Sequence, residues 1–187
     1  MTRTWLCLLL VAACGDPGGD ANEGEVITTV TLTFTPMSGG SAVTAVFDDP
    51  DGDGGDPPTI DPVTLAAGMC ALEVGFQNRL EDPPEEITDE VRDEGDEHQL
   101  FFTGTAIEGP FVHAYADTDG AGLPIGLSST ITARTGTGQL TVTLKHLPPL
   151  DGNRLKKPDL AAMVASAGIN SVGGDTDVSV TFSVTVP

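Results

Sequence analysis

The chain has 187 residues, with 28 Asp and Glu against 8 Lys and Arg, so its formal net charge is -20. This charge excludes nucleic acid as a partner, because a phosphate backbone would be repelled. The 23 Gly and 14 Pro, beside only seven Phe, one Tyr and one Trp, favour a turn-rich β protein. The length suits one domain of ordinary size.

The N-terminus has the pattern of a bacterial lipoprotein signal. Arg3 precedes an apolar run at 5–12, and small residues at 11–13 lead directly to Cys14. We therefore predict a signal peptide at 1–13 and lipidation of the Cys14 thiol, which becomes the new N-terminus. The alternatives are an ordinary secretory signal and a misplaced start.

A lipid anchor would be the sole attachment to a membrane. No later segment has about 18 consecutive apolar residues, the minimum for a membrane-spanning helix. Gly15, where Asp would favour retention at the inner membrane, makes the outer membrane the expected location. We expect the protein in the bacterial cell envelope, on the periplasmic or the surface side.

Residues 14–24 are polar and glycine-rich, which is typical of a flexible tether. Residues 25–187 then form the predicted domain, where apolar residues alternate with Thr and Ser. This period of two indicates half-buried strands and an antiparallel β-sandwich of seven to nine strands. The predicted strands lie at 26–36, 41–47, 62–65, 71–77, 99–105, 111–117, 127–134, 139–146 and 178–186.

A short acidic helix is predicted to interrupt the strands. Asp82 resembles an N-cap, with Pro at the first helical position, and the helix should run to about Asp96. Ile87 and Val91 would form its buried stripe, which His98 extends.

A second short helix is predicted in the long connection 147–175. Its apolar spacing begins at Leu160, and Gly168 is a stop signal. Three basic residues precede this helix, and we expect them to pair with the acidic helix, a solvated basic loop being the alternative. They are Arg154, Lys156 and Lys157.

Cysteine usage predicts a chain without an internal disulfide. Cys7 leaves with the signal peptide and Cys14 carries lipid, so Cys70 stays alone. Cys70 shares strand parity with Leu72 and Val74, which places its side chain in the core. We expect a small buried hydrophobic residue rather than a reactive thiol.

Acidic loops provide candidate Ca²⁺ ligands. Alternating carboxylates after the second predicted strand match the first positions of a calcium loop, but Ile60 stands where a bidentate Glu would be needed. Acidic pairs at 117–119 and 175–177 also lie beside strand ends, where they could converge. The alternative is that all are turns and solvated surface. The candidate Ca²⁺ ligands are Asp49, Asp51, Asp53, Asp56, Asp117 and Asp119.

Histidines offer a second candidate metal site. Glu94 and His98 are four residues apart and could ligate a transition metal if His113 or His146 reached them. The alternative is that His98 caps the acidic helix or pairs with Glu94.

Enzyme signatures are absent from the sequence. It has no GxSxG elbow, no phosphate-binding GxxxxGK[ST] loop and no dinucleotide-binding GxGxxG after a strand. A hydrolytic pair could still exist among the carboxylates, but it would require titratable groups close together in a cleft.

Several segments resemble a family of small bacterial lipoproteins known as "type 1 periplasmic binding fold superfamily protein". The similar segments, which cover most of residues 24–187, include GEVITTVTLTFTP, DPDGDGGDPPT, EDPPEEITDEVRDEGDEHQLFF and GGDTDVSVTFSVTV. The resemblance implies an envelope lipoprotein and implies no activity or ligand.

The sequence favours a non-enzymatic, lipid-anchored β-sandwich that binds a small ligand or a protein partner, with Ca²⁺ ordering its acidic loops. We expect a monomer. A purely structural envelope lipoprotein without a specific ligand is the first alternative, and a hydrolase is the second.

Overall fold

A computed structural model describes residues 25–52 and 54–187. The predicted signal peptide, Cys14, the tether 14–24 and Asp53 lie outside the described residues. In the described ranges, no helix has both the length and the apolar character needed to cross a membrane.

The described residues form eleven strands, two more than the upper end of the seven to nine that the alternation of apolar and polar residues predicts. Each of the nine predicted strands is observed, and two further short strands, β3 and β6, are added. The strands are β1 (Thr29–Pro36), β2 (Val43–Asp48), β3 (Thr59–Ile60), β4 (Val63–Thr64), β5 (Gly68–Asn78), β6 (Glu85–Glu86), β7 (His98–Thr103), β8 (Phe111–Tyr115), β9 (Ser128–Ala133), β10 (Gly136–His146) and β11 (Asp175–Val186).

These strands form two sheets. Sheet A has the order β3-β2-β1-β5-β9-β8, with β6 paired to β5, and sheet B has the order β4-β11-β10-β7. All pairs are antiparallel except β4 with β11. The architecture is a β-sandwich, as predicted.

The inner faces of both sheets supply one apolar core. Leu32, Leu72 and Phe76 from sheet A and Leu140 and Phe182 from sheet B are fully buried in it. Every second residue of these strands points inward, so the alternation in sequence follows the pleat of the sheet.

Cys70 lies in the core as predicted. It is buried, and its thiol is free.

Three helices accompany the sheets. They are α1 (Ile87–Asp93), α2 (Thr105–Glu108) and α3 (Leu160–Ala167). The second predicted helix is confirmed as α3, and Gly168 ends it with a positive φ of 82°. Its Leu160 and Val164 cover Phe101 on the outer face of sheet B. This cover explains why β7 is buried on both faces.

The predicted start of the acidic helix is wrong. Glu85 and Glu86 form β6, because they pair with Asn78 and Gln77 at the end of β5. The helix begins only at Ile87, where Thr88 Oγ1 accepts a hydrogen bond from the Phe76 amide and donates one to its carbonyl oxygen.

The end of this helix also differs from the prediction. Helix α1 ends at Asp93, so His98 opens strand β7 instead of continuing the helix face. The predicted stripe is correct, because Ile87 and Val91 are both buried.

A buried ion pair ties the long connection to the sandwich. Lys156 Nζ lies 3.2 Å from Asp119 Oδ2 and donates a hydrogen bond to the Gly95 carbonyl oxygen. Arg154 adds a contact of 3.2 Å to Asp96, whereas Lys157 is exposed. The predicted pairing with the acidic segment is therefore confirmed for Arg154, whose partner Asp96 lies within it, whereas the acidic partner of Lys156 is Asp119, outside that segment.

This ion pair generates a stability prediction. Lys156→Ala leaves the Asp119 carboxylate buried without its nearest cation, and the free energy of unfolding should fall by about 3 kcal/mol. Urea unfolding followed by circular dichroism measures this change. The exposed neighbour gives the matched control, since Lys157→Ala should change the free energy by less than about 0.5 kcal/mol. Equal effects of the two substitutions would contradict the assignment.

Candidate metal centre

Two histidines meet at one end of sheet B. His98 is the first residue of β7, His146 is the last residue of β10, and the two are register partners. Their rings stack with centroids 4.7 Å apart and an interplanar angle of 7°. Both side chains are buried. Because His98 shares its strand face with Leu100, the imidazole pair forms the end of the layer between the sheets.

A β-bulge directs a carboxylate into the same place. In the β10–β11 ladder Leu144 pairs with Val178 and Lys145 pairs with Thr176, so Asp177 has no partner in the ladder. Such a bulge can re-aim a side chain. The Asp177 side chain is 1% exposed, and its Oδ2 atom lies 3.9 Å from His98 Nε2.

Two further carboxylates lie on the solvent side of the histidine pair. Glu94, the C-cap of α1, places Oε2 4.0 Å from His98 Nδ1, and Glu97 places Oε2 3.8 Å from His146 Nε2. One ligand atom from each of Glu94, His98 and His146 lies within 4.8 Å of the other two. Two imidazoles with adjacent carboxylates form a donor set that suits Zn²⁺.

The backbone fixes the orientation of one imidazole. The Glu94 carbonyl oxygen lies 3.2 Å from His98 Nδ1, so Nδ1 must carry the proton and donate it. Nε2 then holds the lone pair that a metal needs, as is usual for a ligating histidine. The loop after α1 therefore pre-orients His98.

The atoms that face this space lack hydrogen bonds. Among the described residues, no hydrogen-bond partner reaches His98 Nε2, His146 Nε2 or either carboxylate oxygen of Asp177. The Glu25 backbone lies near Asp177 and favours its charged form, but without normal hydrogen-bond geometry. Buried polar atoms are almost always satisfied, so this cluster requires an explanation.

The electrostatics of the site favour a cation. Burial lowers the pKa of His98 to about 4, so the ring is neutral at pH 7, which is its ligating form. Burial also raises the pKa of Asp177, while the neighbouring His146 acts in the opposite direction. Burial, followed by the charges of Glu90, Glu94 and Asp177, raises the pKa of Glu25 to about 7. A bound cation would relieve this excess of negative charge.

The ammonium group of the nearby Lys145 does not take the place of this bound cation. Its ammonium group donates hydrogen bonds to the Gly174 carbonyl oxygen at 2.8 Å and to Thr176 Oγ1 at 3.1 Å. These bonds direct Lys145 toward the 174–176 turn, although its charge still acts on Asp177.

One distance in the cluster fits a first-row metal after a small closure. Two metal bonds of about 2.1 Å at a tetrahedral angle hold their ligand atoms about 3.4 Å apart. His98 Nε2 and Asp177 Oδ2 are 3.9 Å apart, so a shift of about half an ångström would bring this pair into range. The rings of His98 and His146 are stacked with nearly parallel planes, so one of them must turn for both lone pairs to meet at one metal.

The structure thus adds a third residue to the predicted Glu94–His98 pair. His146 lies 48 positions after His98, and only the register of β7 with β10 brings them together. Asp177 stood in the sequence as part of an acidic pair for Ca²⁺, not as a neighbour of histidine. Glu97 and Glu25 carry no sequence signal beyond their charge.

The first group of candidate Ca²⁺ ligands lies in the loop after β2. Asp51 Oδ2 accepts a hydrogen bond from the Asp56 amide at 3.2 Å, and the Asp49 carbonyl oxygen accepts one from Gly52, whose φ is 59°. These contacts are those of a tight turn.

The second group holds the loop after β8. Asp117 accepts hydrogen bonds from the amides of Gly126 and Ser128, at 2.7 and 2.9 Å. Asp119 accepts bonds from two further amides, of Ala121 and Leu123, in addition to its contact with Lys156. Both carboxylates therefore organise the loop itself.

The two acidic loops do not form one site. Strands β2 and β8 are separated by β1, β5 and β9 in sheet A, which is four strand spacings or about 19 Å. Ca²⁺ binding within either loop stays a prediction.

His113 belongs to a different environment. It lies on β8, where Nε2 is 3.0 Å from Ser129 Oγ and the ring contacts Phe102 and Tyr115. The structure therefore brings two of the three histidines together and places the third in another cluster.

Comparison with known proteins gives no further identification. No family model, no curated protein and no solved structure matches the chain. Its function must therefore be inferred from its own geometry.

The surroundings of His113 predict a titration. Burial lowers its pKa from 6.5 to about 4. Between these values the unfolded chain binds a proton that the folded chain does not, so stability is lost as the pH falls from about 6.5 to about 4. The His113 share of this loss should be about 3 kcal/mol.

NMR titration of the imidazole resonances measures the pKa directly, and urea unfolding of His113→Gln measures the loss of pH dependence. A midpoint near 6.5 for His113 would contradict the burial of this ring.

Proposed function

We propose that the protein is a lipid-anchored, non-enzymatic binding module of the bacterial cell envelope, and that it binds a transition metal through His98, His146 and Asp177. The observation that supports it is that His98 Nε2, His146 Nε2 and both carboxylate oxygens of Asp177 are buried at one end of sheet B without hydrogen-bond partners among the described residues. Glu97, whose Oε2 lies 3.8 Å from His146 Nε2, would complete the coordination from the solvent side, while Glu94 faces the protonated Nδ1 of His98.

The donor chemistry selects the metal. Imidazole and carboxylate together suit Zn²⁺, and also Cu²⁺ or Ni²⁺, while Ca²⁺ and Mg²⁺ prefer oxygen ligands alone. The free thiol of Cys70 is directed toward Ile131 on β9 and does not belong to this group. We therefore name Zn²⁺ as the first metal to test.

A binding role fits the position of the centre better than catalysis. His98, His146 and the Asp177 carboxylate are all buried, and the cavities beside Arg154 and beside Tyr115 are lined by other residues. The second candidate is a zinc hydrolase, because two histidines do lie together and a metal with an open position can activate water. Turnover of an activated ester that depends on added Zn²⁺ and is lost in Asp177→Asn would favour it.

Zinc binding is tested by thermal melts of the full chain in chelator and then with added Zn²⁺. At about 100 times its dissociation constant, a ligand that binds only the folded state adds roughly 2.7 kcal/mol, which is about 5–10 °C for a domain of this size. Equilibrium dialysis should give about one bound Zn²⁺ per chain.

Variants decide whether the shift comes from this centre. His98→Gln combined with His146→Gln should abolish the shift, while the matched control His113→Gln keeps it. The isosteric Asp177→Asn should weaken binding at least about tenfold. Circular dichroism checks that each variant folds. A zinc shift that persists in the double variant, or no bound zinc at all, would overturn the proposal and favour a purely structural lipoprotein.

Calcium is tested in the same melts. A shift with Ca²⁺ that Mg²⁺ does not reproduce, and that Asp51→Asn with Asp53→Asn removes, would assign Ca²⁺ to the loop after β2. The zinc variants should leave this shift unchanged, since they lie on sheet B.

The lipid anchor has its own test. Growth of an expressing bacterium with a palmitate analogue should label the wild-type chain, because the Cys14 thiol is the expected acceptor. Cys14→Ala should lose the label. Cys70→Ala should keep it, since that thiol is buried in the core. Label that survives in Cys14→Ala would contradict lipidation at this residue.

A further inference from the structure

A cavity of about 390 Å³ lies at one open edge of the sandwich, beside strands β7 and β8. Strand β7 is the edge of sheet B and strand β8 is the edge of sheet A, and the cavity is lined by residues of both. Helices α2 and α3 supply the remaining walls through Ile107, Ala161 and Val164. Its volume is in the range of small-molecule sites.

Aromatic side chains are concentrated in this cavity. Four of the eight Phe and Tyr residues of the chain line it, although the chain is poor in aromatic residues. The Phe102 and His113 ring centroids are 4.3 Å apart, and those of His113 and Tyr115 are 4.7 Å apart. Such a concentration provides several ring faces for a ligand.

These rings are held in place before any ligand binds. The Tyr115 hydroxyl donates a hydrogen bond of 2.7 Å to the Leu100 carbonyl oxygen, which joins β8 to β7. His113 Nε2 lies 3.0 Å from Ser129 Oγ on β9. A site whose rings are already ordered loses less entropy on binding.

The charge in the lining of the cavity is negative. Among the described residues that line the cavity, Glu108 is the one charged side chain, and none is Lys or Arg. His113 adds no positive charge at pH 7, because burial lowers its pKa to about 4. An anion would meet the Glu108 carboxylate and the net charge of -20, while a cation would be attracted by both.

We propose that the cavity between β7 and β8 binds a small cation with an aromatic body, such as an arylalkyl ammonium compound. The aromatic body lies against Phe102, His113 and Tyr115, where the ring faces also attract the cationic head. Glu108 at the rim supplies the opposite charge. This site is independent of the metal centre, which uses other residues.

The test is isothermal titration of the full chain with three probes of similar size, benzyltrimethylammonium, benzyl alcohol and benzoate. The cation should bind with a dissociation constant in the millimolar range or tighter. It should bind about tenfold more tightly than the alcohol, and benzoate should give no measurable heat. Equal affinity for the cation and the alcohol, or tighter binding of benzoate, would overturn the proposal.

Variants then assign the binding to this cavity. Glu108→Gln should weaken binding of the cation about threefold to fivefold and leave that of the alcohol unchanged. The exposed acid Glu81 gives the matched control, since Glu81→Gln should have no effect. Ala161→Leu fills the cavity and should abolish binding of both, with Ala165→Leu at its rim as a second blocking variant. Unchanged affinity in folded Ala161→Leu and Ala165→Leu would place the ligand elsewhere and contradict the proposal.

Discussion

Strand β10 hydrogen-bonds along its length to β11 and along its second half to β7. A slip of one residue in either register would turn an entire face of a strand from the core to solvent. The apolar partners Leu144 and Leu100, and Leu140 and Phe182, make such a slip costly, because each pair lies in the core between the sheets. The same register places His146 opposite His98, so the packing of the core also determines the candidate metal centre.

The contrast between two buried carboxylates shows why this centre favours a cation. Asp119 Oδ1 accepts two backbone amide hydrogen bonds, and its Oδ2, which has no hydrogen bond among the described residues, lies 3.2 Å from Lys156 Nζ, so the pKa of Asp119 is lowered in spite of burial. Asp177 is as deeply buried but lacks such donors within the described ranges, and burial raises its pKa. A charged group without compensation in the interior is expensive. Under the proposed metal binding, a bound metal would supply for Asp177 what two amides and an ammonium supply for Asp119.

The sequence predicts well those features that depend on local patterns. Alternation located nine strands, and the spacing from Leu160 to Gly168 located α3, because side-chain period and a glycine stop are properties of a short segment. The start of α1 was predicted wrongly because Glu85 and Glu86 pair with β5, and local helix propensity cannot predict such a contact. Glu94 and His98 were predicted as ligands through an assumed helix, and they are close for another reason, the carbonyl contact at the end of α1.

The rest of the candidate site depends on long-range pairing. His146 reaches His98 only through the β7–β10 register, and Asp177 reaches it only through a bulge. By parity with Val178, a regular strand would point Asp177 to the outer face. The aromatic cavity could not be predicted from the sequence either, because His113 and Tyr115 come from one sheet and Phe102 from the other.

The two proposed sites lie at different positions along β7. His98 opens this strand, and the lining of the cavity begins at Phe101, three residues or about 10 Å further along. Glu25, whose pKa is raised by burial and by the charges of Glu90, Glu94 and Asp177 beside the proposed metal centre, is the first described residue and follows the predicted tether. Under the proposed anchoring at Cys14, the metal centre therefore lies where the tether joins the sandwich. A metal there would join β7, β10 and β11 at the end of sheet B beside the tether, and the aromatic cavity would lie further along β7 from that end.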